Sequence, residues 1–217
     1  VNRNIKSGQT SCYIFEVGNV FYKNSEFIQE EILNGAIFGN KKFGEWVNSG
    51  KNIDLNYYEA RGKLKEALSS LNIKVDDKPT NSIDFLHPGR TAKLFIEGKD
   101  AGYFGEIHPK LILDKTALKK VYLFSINVAN LLGASTRKNK WIPIYKQYPI
   151  VPKMERDINF IFSKEHLISE ITSEIRKTGK NLLEDVNLID VFEDINFGED
   201  FISYTFRLSY RDKDKTL

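Results

Sequence analysis

The sequence predicts an α+β fold in two parts, and three observations carry that prediction. Strand-like runs joined by short turns fill the stretch from Ile83 to Val128, with no long helices alternating between them, which argues against a parallel βαβ fold. A basic connector follows, Gly133 to Lys153, holding Pro143, Pro149 and Pro152, three of the chain's 6 prolines. Beyond it a new order of strand, helix, strand, strand begins at Tyr148. A chain of 217 residues suits one or two domains and buries roughly 70–75% of its unfolded surface.

From Ser11 to Tyr22 the run is rich in aromatic and β-branched residues and reads as a strand, interrupted or bulged at Gly18-Asn19. Ile32 to Gly39 is a second strand. Between Tyr57 and Leu71 the residues Ala60, Leu64, Ala67, Leu68 and Leu71 recur at helical spacing, so this is an amphipathic helix with its charges outside the stripe. The strands IDFL, AKLFIEG, AGYFGEI and VYLFSINV follow, the middle pair joined as a hairpin across Gly98-Lys99-Asp100. The connector is expected to be extended.

The stretch Tyr148 to Phe162 is both the end of the connector and the first strand of the second part. Alternation puts Ile158, Phe160 and Phe162 on one face and Asp157, Asn159 and Ile161 on the other. A helix over HLISEITSEIRKT carries Ile168, Ile171 and Ile175, with Gly179 as its C-cap, and the strands NLIDVF and ISYTFRLSYR come after it. This β-α-β-β order is the first part of a split βαβ, or ferredoxin-like, domain, whose complete form needs another helix and strand. The sequence ends at Leu217 before supplying them, which leaves the first strand an expected edge.

Composition narrows function by exclusion. No apolar run approaches the ~20 residues of a membrane span, and the first residues have no secretory pattern. Cys12 is the only cysteine, so neither an intrachain disulfide nor a thiolate metal cluster is available. His87, His108 and His166 lack metal-ligand spacing; the first two precede proline and read as positional. No phosphate-binding glycine loop and no nucleophile-base pairing occur. From Tyr148 onward ten Lys and Arg face fourteen Asp and Glu, a net −4 that leaves +7 on the rest. Generic phosphate binding by the second part is therefore disfavoured. RNA contact there would fall to placed groups: Asp157 and Asn159 on the first strand, and Ser203, Thr205 and Arg207 on the last, provided that Tyr204, Phe206 and Leu208 face the core.

Several motifs stand in a recognisable order: Phe15-Glu16-Val17-Gly18, Gly62-Lys63, His87-Pro88-Gly89-Arg90-Thr91-Ala92, and Gly102 to Pro109 reading GYFGEIHP. Then come Tyr148-Pro149, Arg156-Asp157-Ile158, and Arg211-Asp212 before Thr216-Leu217. Over nearly the whole chain this resembles the C-terminal part of the phenylalanyl-tRNA synthetase β-subunit family, of the bacterial or organellar type. The resemblance implies a class II synthetase-like antiparallel sheet with flanking helices over residues 1–147, catalytic-like but without catalytic residues, and a truncated ferredoxin-like anticodon-binding domain over 148–217. Gly102 to Glu106 is not followed by the arginine of a class II ATP motif, so ATP and Mg2+ are expected on the holoenzyme's α subunit, with no cofactor or metal on this segment.

The implied partners are that α subunit, in an α2β2 heterotetramer, and tRNA(Phe), with no membrane. The implied role is support of ATP-dependent charging of the tRNA through assembly and anticodon-region binding. Arg156, Asp157, Asn159 and Arg207 are the candidate RNA-binding residues, Arg207 by a bidentate contact to a base edge. The alternative is a scaffold for the α subunit that reads no RNA; a self-sufficient ligase is disfavoured by the missing ATP-site arginine. The expected compartment is a bacterial cytoplasm or a chloroplast stroma, and the abundance of Asn, Lys and Ile points to an A+T-rich genome.

Overall fold

The computed structural model describes residues 7, 11–23, 26–39, 53–112, 120–136 and 149–212. Two compact units divide the chain, Val1–Pro143 and Ile144–Leu217. The first contains an antiparallel sheet of six strands: β1 (Ser11–Lys23), β2 (Phe27–Gly39), β3 (Val75–Pro79), β4 (Leu86–Ile96), β5 (Lys99–Ile107) and β6 (Val121–Asn127). They run in the order β1-β2-β6-β5-β4-β3, with α1 (Tyr57–Ser69) and α2 (Val128–Ser135) beside them. This is the expected α+β architecture.

Helix α1 begins with a reciprocal cap: Glu59 N–H donates to Asn56 Oδ1 (2.9 Å) and Asn56 N–H to the Glu59 carboxylate (2.8 Å). Of its predicted stripe Ala60, Leu64 and Leu68 are buried, packed against Ile37, Phe104, Tyr122, Phe124 and Ile126, whereas Ala67 is exposed and Leu71 lies exposed beyond the helix end. Between Ala60 and Leu64, Arg61 is buried too, its guanidinium bound at both Nε and Nη2 by Asp77 on β3. A buried arginine is tolerated here because a carboxylate meets it side-on.

Five elements differ from the sequence expectation. Strand β1 is unbroken at Gly18-Asn19, because the paired β2 continues opposite them, at Ile32 and Glu31, and starts at Phe27 rather than Ile32. Strand β3, VDDKP, has no apolar alternation; it is an edge strand, where charge and proline are the usual composition. Strand β4 starts at Leu86, since Ile83 to Phe85 form a turn closed by Leu86 N–H on the Ile83 carbonyl (3.0 Å). The end of VYLFSINV turns into α2, because Asn127 caps it by accepting from Asn130 N–H (3.1 Å). The β4–β5 turn is also tighter than expected, Glu97-Gly98, both with positive φ (52° and 80°).

The second unit has three antiparallel strands in the order β7-β9-β8, namely β7 (Met154–Ser163), β8 (Leu183–Phe192) and β9 (Phe201–Tyr210), with α3 (Ile168–Gly179) packed on β8. This three-strand, one-helix arrangement is that of a ferredoxin-like domain's first part. Its core gathers Ile171, Leu183, Val186, Ile202, Tyr204, Phe206 and Leu208. Because α3 lies over β8, Ile158 and Phe160 on the same face of β7 stay more than a third exposed. Among the described residues β7 pairs with β9 alone and is an edge. Gly179 is the last helical residue rather than the cap; the left-handed position is Lys180 (φ 49°). A Cβ on Gly179 would come within 2.4 Å of the Leu183 side chain, and this close packing, not a positive φ, is what demands glycine. Most of the predicted connector, 137–148, lies outside the described residues.

Candidate nucleic-acid interface

The predicted alternation of β9 is observed: Ile202, Tyr204, Phe206 and Leu208 are buried in the core, so Ser203, Thr205 and Arg207 face the other way. Register then decides what lies beside them. On the face opposite the core three adjacent rows hold these residues, Ile161–Ser203–Phe192, Asn159–Thr205–Asp190 and Asp157–Arg207–Asn187, with Glu155–Ser209–Asp185 as the next row. At about 3.3 Å per residue, the four-residue step from Ser203 to Arg207 separates the outer rows by roughly 13 Å.

The first row is apolar at its ends. Phe192 is 52% exposed and braced edge-on by Phe197 at 6.2 Å; Ile161 is 51% exposed. In the middle row Asn159 Nδ2 donates to Ser203 Oγ and to Thr205 Oγ1, both at 2.8 Å, and Ser203 Oγ also lies 3.1 Å from Asn159 Oδ1. The amide is thereby locked in orientation and buried Ser203 is satisfied. In the third row Arg207 Nε and Nη2 donate to Asp157 Oδ1 and Oδ2, each at 2.8 Å. That hydrogen bonding holds the Asp157 carboxyl below its ordinary range and pushes the Arg207 guanidinium further up.

Of the four candidate residues, the structure brings Asp157, Asn159 and Arg207 together and separates Arg156. Arg156 stands opposite Leu208, on the core side of the register, and its Nη1 donates to the neighbouring Glu155 carbonyl (3.0 Å). Three residues of the face, Asn187, Asp190 and Phe192, were not singled out by sequence reasoning. A simple alternation from Asn187 would place Ile189 and Val191 beside it; the register shift between Leu188 and Asp190 reverses the parity and brings Asp190 and Phe192 onto the face instead. The acidic Asp190 before an aromatic in an otherwise apolar run was the only hint.

In the first unit the His87–Ala92 and Gly102–Pro109 motifs are held by local hydrogen bonds and an ion pair. His87 Nδ1 accepts from Gly89 N–H (3.1 Å), Thr91 Oγ1 donates to the His87 carbonyl (2.7 Å), and His108 Nδ1 accepts from Lys110 N–H (3.2 Å). Arg90 Nη1 spans both oxygens of buried Glu106 (3.2 Å each). In the Gly102–Glu106 segment Phe104 is fully buried beneath α1 and Glu106 is taken up by its ion pair with Arg90. Among the described residues no three His, Cys, Asp or Glu side chains form a metal-ligating group, and no helix is long and apolar enough to cross a membrane.

Comparison with known proteins agrees with this division. Residues 1–128 match the family described as phenylalanyl tRNA synthetase beta chain CLM domain, and residues 149–217 match the ferredoxin-fold anticodon binding domain. Relatives named phenylalanine–tRNA ligase beta subunit include one from Prochlorococcus marinus strain MIT 9312, 83% identical over 217 residues, which is all of this chain and 27% of the relative. One from Prochlorococcus marinus subsp. pastoris is 67% identical (100% of this chain, 26% of the relative), and one from Synechococcus sp. strain CC9902 is 42% identical (99% and 27%). The chain spans about a quarter of the length of the curated relatives it matches.

Proposed function

The chain belongs to the phenylalanyl-tRNA synthetase β-chain family, and from that premise we propose that it serves ATP-dependent attachment of phenylalanine to tRNA(Phe) by binding the tRNA's anticodon region on the β7–β9–β8 face. The observation that carries this is the set of three rows. One uncovered face combines an exposed aromatic ring for base stacking, fixed amide, hydroxyl and carboxylate groups for base edges, and one guanidinium. In this reading residues 148–217 are the RNA-contacting domain and residues 1–147 a catalytic-like domain without catalytic residues. ATP and Mg2+ are handled by the α subunit, and the enzyme works in a bacterial cytoplasm. Asp157, Asn159 and Arg207 belong to the binding face, whereas Arg156, on the opposite side of β7, does not.

The reading also assigns a partner surface. Strand β6 pairs with β2 only from Ile32 to Phe38, so Asn19–Lys23 with Phe27–Glu31 projects as a two-stranded ribbon bearing Phe21 (69% exposed) and Phe27 (84%). Isolated two-stranded ribbons are marginal in water, and this apolar one is assigned to contact with the α subunit in an α2β2 assembly.

The test is Phe192→Ala in the full-length subunit assembled with its α subunit. Stacking on an exposed aromatic is worth about 1–3 kcal/mol per base, so the Kd for tRNA(Phe) rises about tenfold while α-subunit assembly and thermal midpoint are retained. Unchanged tRNA binding would leave the scaffold role in place of RNA recognition.

A further inference from the structure

Arg207 is the only lysine or arginine in the three rows, which also carry Asp157 and Asp190. Its side chain is 44% exposed and that of Asp157 43%, so the pair lies open on the face with no packing to force it together. The two residues are direct cross-strand partners, and the carboxylate takes the side-on pair of donors, Nε and Nη2. A guanidinium has five N–H groups in a rigid plane. With one fork committed, the end-on pair remains, Nη1 and the second N–H of Nη2. No described protein group occupies Nη1.

We propose that Asp157 is a positioning residue that holds Arg207 so that its remaining end-on fork reads a nucleobase presenting two adjacent acceptors, the O6/N7 edge of a guanine in the anticodon loop. This rests on the RNA-binding reading of the face. A planar fork matches two acceptors of a guanine edge, and an arginine held from behind has less orientational freedom to lose on binding. Asp157 and Asp190 outnumber the guanidinium on these rows, so a phosphate would approach against net negative charge, whereas a neutral base edge would not. The bidentate contact expected from sequence is thereby confined to one of the arginine's two forks.

The experiment measures Kd for tRNA(Phe) transcripts with the assembled full-length enzyme, each anticodon-loop guanosine being replaced in turn by adenosine. Wild type is expected to lose about tenfold at one guanosine. Arg207→Ala loses a similar factor with the unaltered transcript and nothing further with that adenosine transcript; Arg207→Lys fails to restore the discrimination. Asp157→Ala weakens both binding and discrimination with an unchanged thermal midpoint, and the double variant is no worse than Arg207→Ala alone.

Arg207→Ala weakening all transcripts equally, with a salt dependence shallower by about one ion, would identify a phosphate contact and overturn the proposal. Tighter binding by Asp157→Ala would also overturn it, since the carboxylate would then be masking the arginine. If Phe192→Ala weakens tRNA binding while Arg207→Ala does not, the guanine contact alone is wrong; if neither variant alters binding, the RNA-binding reading itself fails.

Discussion

Gly35 on β2 stands opposite Phe124 on β6, and the phenyl ring occupies the space a side chain at position 35 would need. A Cβ built there would lie 2.2 Å from Phe124 Cζ and 2.6 Å from the Ile14 carbonyl oxygen. The position is glycine for room rather than for its backbone angle. Gly35→Ala is therefore expected to displace Phe124 from the core it shares with Ile37, Leu64 and Tyr122. Overpacking of this kind costs about 1–3 kcal/mol. Urea unfolding monitored by tryptophan or tyrosine fluorescence would measure it, and a Gly35→Ala protein as stable as wild type would contradict the close contact.

Tyr57 provides a pH prediction. Burial against Phe104 and Tyr122, and then the nearby Asp77 charge, push its phenol up to about 12 from the ordinary 10.0. The folded state therefore holds the proton more tightly than the unfolded chain. The resulting stability is complete below pH 10 and is lost as pH rises from there through about 12. Burial pushes Tyr122 in the same direction, so wild-type stability falls in this window through both rings. Tyr57→Phe is expected to make the alkaline limb of the stability-pH profile shallower without removing it. An unchanged slope in denaturant titrations between pH 9 and 12 would refute the assignment.

Asn159 links β7 to two hydroxyls of β9, and one of them, Ser203, is only 4% exposed. Asn159→Ala would deprive that buried hydroxyl of its side-chain partner, for a loss of about 1 kcal/mol. The loss appears as a lower thermal midpoint of the second unit's transition in the full-length protein. Restoring the midpoint by adding Ser203→Ala would show that the cost comes from the stranded hydroxyl, since removing both partners is milder than removing one.

Much of the second unit was legible in the sequence because its signals are local. The isoleucines at positions 168, 171 and 175 define a helix, and Tyr204, Phe206 and Leu208 define the buried face of β9; the structure has both. Elements without an apolar period were not legible. Strand β3 is recruited by the free edge of β4 and carries charge, and the short helix α2 hides in a run whose composition suits a strand equally well.

What the sequence alone determined is the class of the fold, the order of its two units, and the placement of Asp157, Asn159 and Arg207 by strict alternation. What only the tertiary structure decided is which side chains join them. Pairing puts Arg207 against Asp157 and commits two of its five N–H donors, a fact set by the register of strands fifty positions apart. A single displaced residue in β8 then turns Asp190 and Phe192 toward the face. Hydrophobic periodicity reports what each segment prefers by itself, whereas a bulge and a cross-strand register exist only once two segments hydrogen-bond, so the composition of the face is a property of the assembled sheet.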